Sequence, residues 1–394
     1  MSIVFGAPSA SKPASKPAHN IHNSTWFAQL LAGADIHLNG SRPWDIQIKH
    51  PLTLQRWMRE GSLGMGESYM DGWWECQAID QMMSRAVRAR LQQHMGTPQA
   101  WWHSCWSKWA QHVPVGRGNI VGRAHYELSN LLFSAMLDSG MNNSSAYWHE
   151  GASTLEQAQT AKLDMICRKL QLQPGMRLLD LGCGWGSLMR HAAKYHGVTA
   201  LGITQSEEQM QLGQQMTKGL AVQFEIVDYR QFNTDGRTQF DRVVSAGMLN
   251  QVAQVKDPAF FSAARRSLKK DGLFLMEAMG NNQADKLLGP WMEKHVLGKA
   301  SLPSIGDITK PAQAHFVLED VHNLGADHDR TLLHWHQRFE LAWPQLRLNY
   351  DERFYRMWRY HLLSSAGSFR ARSTQIWQIV MSPKGLPGVY RRTY

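Results

Sequence analysis

The sequence predicts an α/β protein, a doubly wound, Rossmann-like domain preceded by a smaller mixed α+β domain. Three observations predict it. At 394 residues the chain is long for one hydrophobic core. From about residue 155 onward, short apolar runs alternate with helical patterns, as they do where parallel strands are joined by crossover helices. The run Leu178-Leu179-Asp180-Leu181-Gly182-Cys183-Gly184-Trp185-Gly186 begins as a buried strand and ends in three glycines at alternate positions. Such a turn brings backbone close to a bound molecule with no Cβ in the way.

In chain order, residues 1–24 are rich in Ala, Ser, Pro and Lys and read as a disordered arm. The small domain is placed at 25–111. It holds a helix at 25–34, a short strand and turn at 35–40 and an alternating strand at 45–49. Helices follow at 52–60 and 79–92, separated by a glycine-rich segment that ends in Trp73-Trp74. Pro114, Gly116, Gly118 and Gly122 mark a linker at 112–124.

The second domain is placed at 125–394. Helix 155–170 has Ala158, Ala161, Leu163, Ile166 and Leu170 largely on one face. Strands are expected at 177–181, 199–203, 222–227, 240–245 and 273–276, with Ser206 capping the helix after the second. A helix at 259–268 leads into the fifth strand, and a last apolar run at 375–381 returns to the sheet. Ligands of such sheets bind at the carboxyl ends of the strands. The spacing here is G-x-G-x-G after an acidic residue, whereas the dinucleotide fingerprint is G-x-G-x-x-G. The pattern suits S-adenosylmethionine better than a dinucleotide.

Forty-two Lys and Arg against 32 Asp and Glu give a formal charge of +10, which points to an anionic partner such as nucleic acid or anionic lipid. No apolar run reaches the roughly 18 residues a membrane-spanning helix needs. The features of a signal peptide are not found at the start. Cys76, Cys105, Cys167 and Cys183 are scattered with no metal-ligand spacing, so reduced thiols in a cytosolic protein and no metal site are expected. Trp73, Trp74, Trp101 and Trp102, with Arg85, Arg88 and Arg90, could form a membrane-facing surface or the core of the small domain.

Across roughly 25–381 the chain resembles the cyclopropane-fatty-acyl-phospholipid synthase family. The matching runs include 60–74, Ala146-Tyr147-Trp148, the glycine turn, Gly202-Ile203-Thr204-Gln205-Ser206-Glu207-Glu208-Gln209, Asp228-Tyr229-Arg230 and Gly367-Ser368-Phe369-Arg370-Ala371-Arg372. The resemblance implies methyl transfer from S-adenosylmethionine to a cis double bond in a phospholipid acyl chain, followed by proton loss and ring closure. Water must be excluded and the alkene held in line with the methyl group. It further implies a homodimer, cytoplasmic and peripherally attached to the inner face of the membrane, with no nucleic-acid partner. The cofactor-binding positions implied are Ser144, Asp180, Gly182, Gly184, Gly186, Thr204, Gln209, Tyr229 and Arg230. Asn143 stands where the family has a tyrosine.

The family's proton acceptor is a bicarbonate ion held by a cysteine, a glutamate, a histidine and a tyrosine. Those four positions fall here on Ser145, Asn250, Glu277 and His328. The cofactor loop is kept while the deprotonation site is rebuilt or lost. Glu277, at the end of strand five, and His328, in the polar run 326–329, are the candidate replacement bases. Two alternatives stay open: methylation without ring closure, and a non-catalytic cofactor- and lipid-binding paralogue that partners an active synthase.

Overall fold

The computed structural model describes residues 19–91, 130–149, 151–246, 258–282, 286–287, 289–297 and 301–392. Asn250, Trp101, Trp102 and the expected linker lie outside them. In the amino-terminal part, α1 (His19–Gly33), β1 (Gln47–Ile48), α2 (Thr53–Met70), β2 (Trp74–Glu75) and α3 (Ile79–Arg88) follow one another. The glycine-rich segment expected between two helices is helical instead. α2 continues through it, kinked at Gly61 (φ 58°, ψ −134°). Gly66 explains the tolerance of glycine here, because a Cβ on it would sit 2.2 Å from the Trp291 ring.

After α4 (Asn130–Met136) come α5 (Leu155–Lys169), β3 (Arg177–Leu181), α6 (Ser187–His196), β4 (Thr199–Thr204), α7 (Glu207–Met216), β5 (Val222–Ile226) and β6 (Phe240–Ser245). α8 (Pro258–Ser267), β7 (Leu268–Asn281), β8 (Lys286–Leu287), α9 (Pro290–Met292) and β9 (Ser301–Leu302) follow. The chain closes with α10 (Ile305–Ala312), β10 (Val317–Asn323), α11 (Gly325–Leu346), α12 (Glu352–Arg370) and β11 (Thr374–Ser382). Thr154 opens α5 with a capping box to Gln157, and the Ser206 hydroxyl accepts from Gln209 N as expected.

The main sheet has seven strands in the order β10-β11-β7-β6-β3-β4-β5. β3, β4, β5, β6 and β7 are parallel, and β11 runs antiparallel between β7 and β10. The returning run 375–381 is therefore confirmed, but the sheet is mixed. Pairing with β11 also lengthens the fifth parallel strand to Leu268–Asn281, so Glu277 lies inside it, opposite Gln378. Beyond Met276, where the β6 ladder ends, pairing with β11 alone keeps the backbone extended.

The amino-terminal helices share one hydrophobic cluster with α11 and α12. Trp57, Tyr69, Trp74 and Tyr360 form its aromatic centre, with Tyr69 and Trp74 ring centroids 4.9 Å apart. Trp74 is fully buried, which removes it from any membrane-facing surface. Trp73 stacks on His50 at 4.0 Å under the Arg56 guanidinium. The run 367–372 acts as a junction. Gly367 lets α12 close on α3, and Arg370 pairs with Asp80 at 2.6 Å and Asp329 at 3.0 Å.

Candidate active site

The glycine turn joins β3 to α6. Gly182, Gly184 and Gly186 all have positive φ (87°, 55° and 77°), which side-chain-bearing residues rarely adopt. Gly182 N and Cys183 N both donate to Ile203 O, which pins the turn to β4. A Cβ on Gly184 would meet nothing within 4 Å, whereas one on Gly186 would lie 2.5 Å from the Phe224 ring. Gly184 thus presents bare backbone to open space and Gly186 allows close packing.

Other expected cofactor positions gather at the same end of the sheet. Thr204 ends β4, and its hydroxyl donates to Gln209 Oε1 at 3.2 Å. Gln209 is buried in the first turn of α7, where a surface position would be the default. Asp180 lies in β3, and its buried Oδ1 has no hydrogen-bond partner. Burial pushes its carboxyl up to about 7, against the pull of Lys162. Tyr229 follows β5 with its ring edge-on to Phe260 at 5.7 Å, and Arg230 turns back onto Asp228 at 2.5 Å.

Ser144 and Ser145 sit in the extended segment before α5, both buried. Lys162 Nζ donates to Ser144 Oγ at 3.0 Å and to Asn142 Oδ1 at 3.1 Å, and Ser187 Oγ donates to the same Asn142 oxygen at 2.8 Å. The segment is fixed on its other side by α11: Ala146 N donates to Thr331 Oγ1 and Trp148 N to Asp327 Oδ1. The Ser145 backbone N–H faces the Glu277 carboxyl.

Glu277 is buried, 3 % exposed. Its Oε2 accepts from Gln378 Nε2 at 2.8 Å, and its Oε1 has no partner. Gln378 Oε1 in turn accepts from Lys169 Nζ at 2.6 Å, and Lys169 Nζ lies 3.1 Å from His322 Nδ1. Burial drives the Glu277 carboxyl above its ordinary range, opposed by the charges of Lys162 and Lys169. Burial also pushes Lys169 down to about 7. A row of polar groups therefore runs across β10, β11 and β7 beneath α5.

His328 departs from expectation. It is in the first turn of α11, buried, with its ring edge-on to Phe369 at 4.7 Å and Trp335 at 5.6 Å. Its Nδ1 has no hydrogen-bond partner, and burial pushes it down to about 3, so the ring is neutral. The polar run 326–329 continues as helix because Asp327 and Asp329 are spent on Trp148 N and Arg370.

Sequence reading missed Lys162, Lys169 and Gln378. The signal was present: both lysines fall on or beside the apolar stripe of the 155–170 helix, where a solvated charge has no place.

A mixed sheet of this order, with its glycine turn after the central β3, defines the S-adenosylmethionine-dependent methyltransferase fold. The solved cyclopropane synthase MmaA2 from Mycobacterium tuberculosis superposes with a TM-score of 0.62 at 26% identity, covering 68% of this chain and 99% of that one. Mycolic acid cyclopropane synthase CmaA1, complexed with SAH and CTAB, gives 0.61 at 27% over the same shares. The mycolic acid cyclopropane synthetase family model matches residues 117–379. The cyclopropane-fatty-acyl-phospholipid synthase of Escherichia coli (strain K12) is 44% identical over 369 residues, 92% of this chain and 95% of that protein. The chain belongs to this family of S-adenosylmethionine-dependent enzymes.

Proposed function

We propose that this protein methylates the cis double bond of an unsaturated phospholipid acyl chain and closes a cyclopropane ring, with Glu277 as its own proton acceptor. The observation that carries the reading is a buried carboxylate with one oxygen held by Gln378 and the other unpartnered. A buried acceptor left without a donor costs stability, which a site retains where the group has work to do.

The cofactor fits the turn: Gly184 offers bare backbone, and Asp180, in the strand that leads into it, keeps a buried oxygen without a partner. Ser144, Asp180, Gly182, Gly184, Gly186, Thr204, Gln209, Tyr229 and Arg230 are the residues assigned to hold it. S-adenosylmethionine, when bound, supplies an electrophilic methyl group. Lys162 orders Ser144 against α5, and the Ser144–Trp148 segment, tied to Thr331 and Asp327, walls the site from water. Glu277 Oε1 accepts the proton whose loss closes the ring, and Gln378 keeps the carboxylate oriented.

Bicarbonate fits poorly. Ser145 spends its hydroxyl on Ala146 O, His328 is neutral, and a buried Glu277 carboxylate opposes a second anion. Of the described residues, no helix is long and apolar enough to cross a membrane. The charge of +10 supports work at an anionic lipid surface such as the inner face of the membrane, and the homodimer follows from the family resemblance.

The test is mass spectrometry of unsaturated phospholipid vesicles incubated with the protein and methyl-labelled S-adenosylmethionine. A gain of one methylene, with loss of the double bond, is expected. Methylation that leaves a methyl branch, or no gain at all, would overturn ring closure.

A further inference from the structure

Cys167 and Asp164 lie on one face of α5, three residues apart, and pack against the last turns of α6, where His191 and His196 project. The Cys167 thiol and one ring nitrogen each of His191 and His196 all lie within 4.8 Å of one another. Asp164 Oδ1 is 3.6 Å from His196 Nε2 and 3.9 Å from His191 Nε2, too far for hydrogen bonds, while Asp164 Oδ2 holds Arg168. Cys167 is fully buried and His191 is 8 % exposed. Neither His191 Nε2 nor His196 Nε2 has a hydrogen-bond partner, although both atoms are shielded from solvent.

Three side chains of metal-binding type thus converge, and Asp164, held by Arg168 through one oxygen, flanks the two imidazoles with the other. We propose that Asp164, Cys167, His191 and His196 form a structural zinc site that clasps α5 to α6. One thiolate, two imidazoles and a carboxylate make a closed tetrahedral set typical of Zn²⁺. Zinc–ligand lengths place the donors of a filled site about 3.3–3.8 Å apart, so the Cys167, His191 and His196 donors draw in by about 1 Å on loading and Asp164 swings in as the fourth ligand. Zinc binds the thiolate, so loading releases about one proton, from the thiol to solvent. The clasp joins the helix that carries Lys162 and Lys169 to the helix that follows the cofactor turn.

The sequence hides this set because its members come from two helices, with Asp-x-x-Cys on one and His-x4-His on the other. The test uses the full chain, stripped with a chelator, dialysed, and titrated with Zn²⁺ or Co²⁺ alone. One equivalent is expected to bind with a Kd of about 1 µM or tighter, releasing about one proton and raising the melting temperature. Co²⁺ should give a thiolate charge-transfer band and the strong visible bands of a tetrahedral site. Cys167→Ser should abolish that band. His196→Gln, at a half-buried position, should weaken binding at least about tenfold and lose the thermal shift. Absence of the thiolate band in the unsubstituted protein, or binding unchanged in His196→Gln, would overturn the proposal.

Discussion

Gln378 Nε2 lies 2.8 Å from Glu277 Oε2, across neighbouring antiparallel strands at a registered pair. The amide is held from behind by Lys169, so it can present only its NH₂ group to the carboxylate. That relationship fixes which oxygen of Glu277 is occupied and which is left for chemistry.

Replacing Glu277 by Gln keeps shape and removes the base. Ring formation is expected to fall by about 10²-fold or more, while S-adenosylmethionine affinity stays within about twofold. Single-turnover lipid mass spectrometry and calorimetric cofactor binding check the two halves separately.

Because burial raises the Glu277 pKa, its basic form accumulates only as pH rises, and activity should climb with pH through that raised value. The groups facing it are Lys162 and Lys169 of α5, the Gln378 amide and the Ser145 N–H. Lys169→Met removes a charge that favours the carboxylate, so the rising limb should move to higher pH. A pH–rate profile of the variant reads the shift. Stability has the opposite sign: the native state holds the Glu277 proton more tightly than the unfolded chain does. Its contribution is full below the unfolded carboxylate pKa of about 4.3 and is lost toward the raised folded value. Glu277→Gln should flatten that loss in denaturation curves taken across the pH range.

His328 acts in acid. Its folded pKa of about 3 lies below the ordinary histidine value of about 6.5, so the unfolded chain binds the extra proton between them. Stability should therefore fall as pH drops through that window, by up to about 1.4 kcal/mol per pH unit from this residue. His328→Phe should remove that part of the slope in urea titrations at stepped pH.

The two tryptophans should separate cleanly. Trp74→Ala empties the aromatic centre shared by the amino-terminal helices and α12, and a loss of about 3–5 kcal/mol is expected. Trp73→Ala removes a half-buried ring stacked on His50 and should cost far less. Chemical denaturation of both variants measures the contrast.

The glycine turn was legible because strand, acidic residue and G-x-G-x-G spacing occur in one continuous run. The five parallel strands were legible from apolar runs separated by helical periods. What could not be read came from distant pairings. β11 meets β7 across about a hundred residues, and that pairing carries Glu277 into the strand interior and against Gln378. The continuation of α2 through Gly61, Gly64 and Gly66 was hidden for a similar reason. Glycine propensity argues for a turn, whereas at Gly66 the close approach of Trp291 selects a small residue within a helix. His328 was masked by its polar neighbours, whose side chains turn out to be spent on Trp148 N and Arg370.

The central claim is that the protein supplies its own base. It is tested most directly by measuring cyclopropane formation on unsaturated phospholipid vesicles in buffer stripped of bicarbonate and again with bicarbonate restored. The account predicts equal rates under both conditions, abolished by Glu277→Gln. A rate that appears only with bicarbonate, and survives Glu277→Gln, would contradict it.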